Sequence, residues 1–174
     1  TGIAACGGGG DSIVAPTPQS SEVVGSISGI SYTSVSYRGK TDQDGSFQYI
    51  PGEEGTFSIG ELSLGTVSSV GEYVSIGNPV GIDNIVDPSA LNAQKLLMAL
   101  DADGDPSNGI ELIAEASNFP NIDLSDEAAV AAALSQLNVL LQLPTIEEAI
   151  AAYDAALFEK MDKFIPVANY ETVT

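Results

Sequence analysis

Two periodicities divide the chain. Between Glu22 and about Gly77 the apolar residues stand among Ser, Thr and Gly at strand-like spacing. Val24, Ile27 and Ile30 are followed by Tyr32, Val35 and Tyr37. Ser46–Ile50 and Thr56–Ile59 alternate apolar and polar positions, as half-buried strands do. Thr41–Gly45 is turn chemistry, because Asp44 and Gly45 accept left-handed backbone angles and let the chain reverse. Pro51–Gly55 is a second turn. This half predicts a small, Gly-rich antiparallel sheet of roughly four to six strands, sandwich-like in character.

From Asp87 onward the period changes to that of helices. Asp87 suits an N-cap and Pro88 the first helical position. Ala93, Leu97 and Leu100, with Leu96 beside them, share one face. Ser125 can cap a second helix carrying Val130, Leu134, Leu137 and Leu141, with Pro144 as its stop. Thr145–Glu148 is a capping box that opens a third helix. Its stripe is Ile146, Ile150, Tyr153, Leu157, Met161 and Phe164, ended by Pro166. A short connection between these two helices predicts an antiparallel hairpin. Core packing accounts for both stripes. The fold class is therefore α+β, a β-rich module over 22–86 followed by a helical region over 87–174.

Residues 1–21 precede both patterns. Their Gly, Ser and Pro content reads as a flexible tether, with Pro16 and Pro18 stiffening its end. The tether holds the single cysteine, Cys6, which is thus neither core nor half of an internal disulfide. The C-terminal Tyr170–Thr174 reads as the start of a strand, which makes an N-terminal accessory module of a longer protein one reading of the chain.

Charge narrows the function classes. Lys+Arg total 5 against 24 Asp+Glu, a formal net charge of -19. Arg38, Lys40, Lys95, Lys160 and Lys163 cannot build a basic patch, which excludes charge-driven binding to nucleic acid or an anionic membrane. His and Trp are absent, so there is no Ser-His-Asp triad, no Cys-His dyad and no His-ligated zinc or haem. No carboxylate pair stands out as glycosidase-like, and the chain is expected not to be an enzyme. At 44% hydrophobic residues it can bury a core. No apolar run reaches the ~18 residues that a bilayer span needs.

One segment carries chemistry. Leu100–Ile110 reads L-D-A-D-G-D-P-S-N-G-I. Three carboxylates at alternate positions of a tight loop can point oxygens at one hard cation, and calcium takes six to eight such ligands. The expected ligands are the side chains of Asp101, Asp103 and Asp105, the carbonyl of Ser107 or a near neighbour, and, if the loop at 101–112 folds to admit it, Glu111 or else Glu115. Magnesium, which keeps several waters, fits less well. Pro106 and Leu112 occupy positions where an EF-hand has Gly and a bidentate Glu, so the loop departs from that pattern. A metal-free Asp/Asn/Gly surface turn is the competing reading. Asp42–Gly45 could hold a second ion, though a hairpin turn suffices there. Asp83 and Asp87 flank Asn84–Val86, and one of them can serve only as a cap.

Thr1–Cys6, with an aliphatic residue and two alanines before the cysteine, resembles a bacterial lipobox. Gly39–Tyr49, Pro51–Glu53, Thr56–Gly60 and Leu64–Gly65 resemble a carboxypeptidase-regulatory-like β motif. Followed by the acidic loop, they resemble modules of Gram-negative lipoproteins and surface proteins over about residues 1–112. The resemblance implies an envelope or surface location, outer-membrane anchoring through a lipid on Cys6, and no particular reaction. Cleavage before Cys6 would remove Thr1–Ala5, which this chain carries. The expected function is a non-catalytic, lipid-tethered, calcium-stabilised surface protein acting in structural or adhesive contacts. The alternatives are a filament subunit, self-associating as Glu22–Tyr37 adds a strand to a neighbour, and an accessory module of a larger secreted enzyme.

Overall fold

The computed structural model describes residues 14–67, 73–74, 87–137 and 141–164, with side chains through Glu159. Cys6, Asp83, Pro166 and Tyr170–Thr174 lie outside the described residues, as do the side chains of Met161 and Phe164. The architecture is α+β, with sheets first and three α-helices later in the chain.

Strand β1 (Gln19–Val23) starts inside the stretch whose composition reads as tether. It lies between β5 (Ser46–Tyr49), antiparallel, and β8 (Tyr73–Val74), parallel. A four-stranded antiparallel sheet has the order β4-β3-β6-β7, formed by β3 (Ser31–Thr33), β4 (Arg38–Lys40), β6 (Gly55–Ile59) and β7 (Leu62–Val67). A third, two-stranded sheet pairs β2 (Ile27–Ser28) in parallel with β9 (Ile110–Glu111). Among the described residues β1 and β3 have partners on each side and could enter a neighbouring sheet only by leaving their own, whereas β2 is paired on one side only.

The strands obey the alternation of their sequence. Phe47 and Tyr49 of β5 point inward while Gln48 is exposed, and Phe57 and Ile59 of β6 are buried. Phe47 bridges the sheets. Its ring centroid lies 5.1 Å from that of Tyr32 and 5.2 Å from that of Phe57, the latter edge to face. Phe47 thus joins the two sheets within a core that also takes in Val23, Tyr49, Ile59 and Leu62.

Polar groups pin the turns. Asp42 Oδ1 accepts from Asp44 N at 3.1 Å and Ser46 N at 2.8 Å, closing the turn before β5. Glu53 reaches across to the β3–β4 turn. It accepts from Ser34 Oγ at 2.8 Å, Ser36 N at 3.0 Å and the Ser36 hydroxyl. Those bonds, the Ser36 hydroxyl foremost, hold its carboxyl below the ordinary glutamate range. Thr41 is buried. Its Oγ1 accepts from Ile30 N at 3.1 Å and donates to Ile27 O at 2.6 Å. Thr41→Val keeps the shape and orphans both backbone groups, so a stability loss of about 2 kcal/mol is expected in a urea titration. A wild-type midpoint in that variant would show the two bonds to be dispensable.

Helix α1 (Pro88–Ala99) is capped as its sequence predicts, with Asp87 Oδ1 accepting from Ser89 N at 3.0 Å and Ala90 N at 3.3 Å. It is buried on nearly every side, not on one stripe: Asn92, Gln94 and Lys95 are buried with Leu96 and Leu97. Two of these polar residues find partners before and at the start of the next helix. Asn92 Nδ2 donates to Leu124 O at 2.7 Å, and Lys95 Nζ stands 3.0 Å from Glu127.

Helix α2 (Glu127–Gln136) is capped by Asp126, not Ser125. Asp123 has captured Ser125 through both its N–H and its hydroxyl, which moves the helix start one residue on. The helix ends well before Pro144, and Leu141 and Leu143 pack on the core from non-helical chain. Helix α3 (Ile146–Phe164) opens with the expected reciprocal capping box, Thr145 N to Glu148 at 2.8 Å and Glu148 N to Thr145 Oγ1 at 3.2 Å. Its buried face is centred on Ala149 and Tyr153, while Ile146 is 47% exposed. The predicted α2–α3 hairpin is not the main contact: α3 and α2 each pack chiefly on α1. One cluster joins Val23, Phe47 and Phe57 of the sheets to Leu97 and Leu100 at α1 and Val130 and Leu134 of α2. The β-rich and helical regions therefore share a core.

Candidate metal centre

The acidic loop leaves the end of α1 and returns to the sheet. Leu100, fully buried, caps the helix, and its carbonyl accepts from Ile113 N at 2.9 Å. Ala102 N donates to Glu111 O at 2.8 Å, and Asp101 bridges Leu112. These bonds close the neck of the loop. The neck is also stitched to β2, because Ile110 N and Leu112 N donate to the carbonyls of Ser26 and Ser28 at 3.3 and 3.2 Å.

Asp101 stands at this neck and is only 6% exposed. Its Oδ1 accepts from Glu111 N at 3.0 Å, whereas Oδ2 is buried and has no hydrogen-bond partner. Burial pushes its carboxyl above the usual aspartate range. The Glu111 N–H opposes this, while repulsion from Asp103, and the hydrogen bond that the protonated acid can make to Asp103, add to it. Asp103 is exposed and fixed from outside. Its Oδ2 accepts from Asn108 Nδ2 at 2.9 Å and its Oδ1 from Asp105 N at 2.9 Å, which hold its carboxyl below the ordinary range. The pair thus combines a buried carboxylate with one oxygen lacking a donor and an exposed, well-hydrogen-bonded one, the two interacting directly.

The five expected ligands do not all converge. Asp101, Asp103 and Glu111 line one cleft of about 170 Å³, together with Ser26, Ser28 and Gln43 from the sheet. Asp105 and Ser107 line a second cleft of about 370 Å³, bounded by Ala152, Ala155 and Ala156 of α3. The reason is local. Asp105 Oδ1 accepts from Ser107 N at 3.1 Å and Ser107 Oγ at 2.6 Å, a side-chain turn that competes with inward ligation. Glu111 gives the cleft its backbone, with an exposed side chain at the rim. Among the described residues no three acidic, His or Cys side chains gather closely enough to hold a metal by themselves. A cation here would draw on the Asp101–Asp103 pair and on neutral oxygens. Ser26 and Ser28 were missed by sequence reasoning, which placed Gln43 only in a separate, weaker ion site at Asp42–Gly45 and had no signal that a sheet turn 58 positions before Asp101 faces the loop. The Asp42 carboxylate is spent on its own turn, as the hairpin reading expects.

No family model, curated protein or solved structure matches the chain. What can be said of class comes from the fold and the site: an α+β protein whose acidic loop is tied into a shared core. No helix among the described residues is long and apolar enough to cross a membrane.

Proposed function

We propose that the protein is a non-catalytic surface protein of the cell envelope, stabilised by one calcium ion at Asp101 and Asp103, and working through structural or adhesive contacts. The observation that carries the reading is Asp101 Oδ2. A buried carboxylate oxygen without a donor costs about 1–3 kcal/mol, and a hard cation removes that cost while relieving the repulsion with Asp103. Calcium suits the remaining ligands, because it accepts neutral carbonyl, amide and hydroxyl oxygens in irregular geometry. A site with only two carboxylates belongs at the weak end of the calcium range, about 10⁻⁴–10⁻³ M, as in extracellular modules. Cys6 followed by Gly7–Gly10 supports a lipid tether with a flexible spacer. A net charge of -19 suits a solvated surface that calcium can bridge.

The test is thermal unfolding of the full chain in calcium and in EDTA. At calcium one hundred times its dissociation constant, linkage adds about 2.7 kcal/mol, or roughly 5–10 °C for a chain of this size. Asp103→Ala should abolish that shift. Equal wild-type midpoints in calcium and EDTA would overturn the reading.

A further inference from the structure

We propose that the ion takes ligands from the sheet as well as from the loop, with the side-chain amide oxygen of Gln43 as a direct ligand, so that calcium clamps the Thr41–Gly45 turn to the Asp101–Glu111 loop. This rests on the calcium reading above and names the rest of its coordination shell.

Three observations lead to it. The unpartnered Oδ2 belongs to Asp101, which lines a cleft together with Ser26, Ser28 and Gln43. The loop alone leaves the shell short. Asp101 and Asp103 line that cleft, Glu111 sits at its rim, and Asp105 and Ser107 line the other cleft. Calcium takes six to eight oxygens, so neutral donors from outside the loop must complete the set along with water.

Gln43 is also pre-positioned. Its turn is locked by the two bonds to Asp42 Oδ1 and by Thr41, whose hydroxyl is tied to Ile27 O and Ile30 N. Ile27 and Ser28 pair in turn with Ile110 and Glu111 of the loop. Turn, β2 and loop thus form one hydrogen-bonded unit, and little ordering remains to be done when the amide oxygen meets an ion.

The experiment is calorimetric titration of calcium into the full chain and its variants. Gln43→Ala should weaken binding about three- to ten-fold through loss of one neutral ligand. Its unfolding midpoint in EDTA should stay that of wild type, because Gln43 is exposed. Gln43→Glu, of the same length, adds a carboxylate and should tighten binding about ten-fold, since ligand charge sets affinity. Gln48→Ala, exposed on β5 and outside the cleft, should bind as wild type does. Wild-type affinity in both Gln43 variants, with Asp101→Asn abolishing binding, would overturn the sheet ligand and leave the loop site standing. Equal weakening by Gln48→Ala would overturn it too. No heat from the wild-type chain would remove the calcium reading itself, and this inference with it.

Discussion

Gly60→Ala should lower the unfolding midpoint by about 10 °C, corresponding to about 3 kcal/mol at roughly 2–4 °C per kcal/mol. Gly60 sits in the tight turn between β6 and β7 with φ +55°. A Cβ there would lie 2.5 Å from Phe119 O, 2.7 Å from Phe119 N and 3.0 Å from Ser117 O. All three are backbone atoms, so no flexible side chain can swing aside. Phe119 is fully buried, and its carbonyl accepts from Glu61 N at 2.9 Å, so the crowding falls on the bond that ties the sheet to the short 3-10 turn Ala114–Asn118. The left-handed conformation costs a non-glycine residue about 1–2 kcal/mol, and forced overpacking about 1–3 kcal/mol more. Gly52→Ala separates the two contributions. Gly52 has φ +90° but nothing within 4 Å of a Cβ, so only the conformational cost applies. Circular dichroism melts of both variants check this. Equal losses would show that the close approach to Phe119 contributes nothing.

Much of this arrangement is legible in the sequence wherever a local rule decides it. Asp87 with Pro88, Thr145 with Glu148, and the Asp42–Gly45 turn all form as their residue types dictate, because each is settled by atoms within four positions of one another. Alternation likewise gives the buried faces of β5 and β6. What fails is set by tertiary contact. Lys95 and Asn92 look like a solvent face, yet they are buried because Glu127 and the Leu124 carbonyl come to meet them. The hairpin of α2 and α3 reads naturally from a short connection, but both helices pack on the buried α1 instead. The candidate site shows the same division. The spacing of Asp101, Asp103 and Asp105 marks the loop but cannot say which carboxylates turn inward. That depends on Ser107 capturing Asp105 and on β9 pairing with β2, a contact spanning some eighty positions. Gln43 belongs to a turn that reads as a separate ion site, and its place beside the loop is visible only once that pairing is made.

Asp101→Asn should make the protein more stable than wild type in EDTA and less stable in saturating calcium. The reversal follows from one atom. Without an ion, Asp101 holds a buried Oδ2 with no donor, beside the Asp103 carboxylate, and its burial disfavours the charged form. Asparagine keeps the Oδ1 that accepts from Glu111 N and replaces Oδ2 with an amide that can donate to Asp103. Removing the unsatisfied oxygen is worth about 1–2 kcal/mol, since such groups cost about 1–3 kcal/mol when left unpaired. With an ion, the balance inverts. Wild type gains about 2.7 kcal/mol at one hundred times the dissociation constant. The asparagine variant, with one carboxylate left in the cleft, gains little. The two melting curves should therefore exchange order between EDTA and calcium. A structural carboxylate that merely holds the loop neck through Glu111 would behave otherwise: its loss would be neutral or harmful to the same extent in both buffers. Parallel shifts in the two conditions would assign Asp101 to the architecture of the neck alone. Crossing curves would mean that the fold keeps a destabilising charge at the end of α1 because an ion is meant to sit on it.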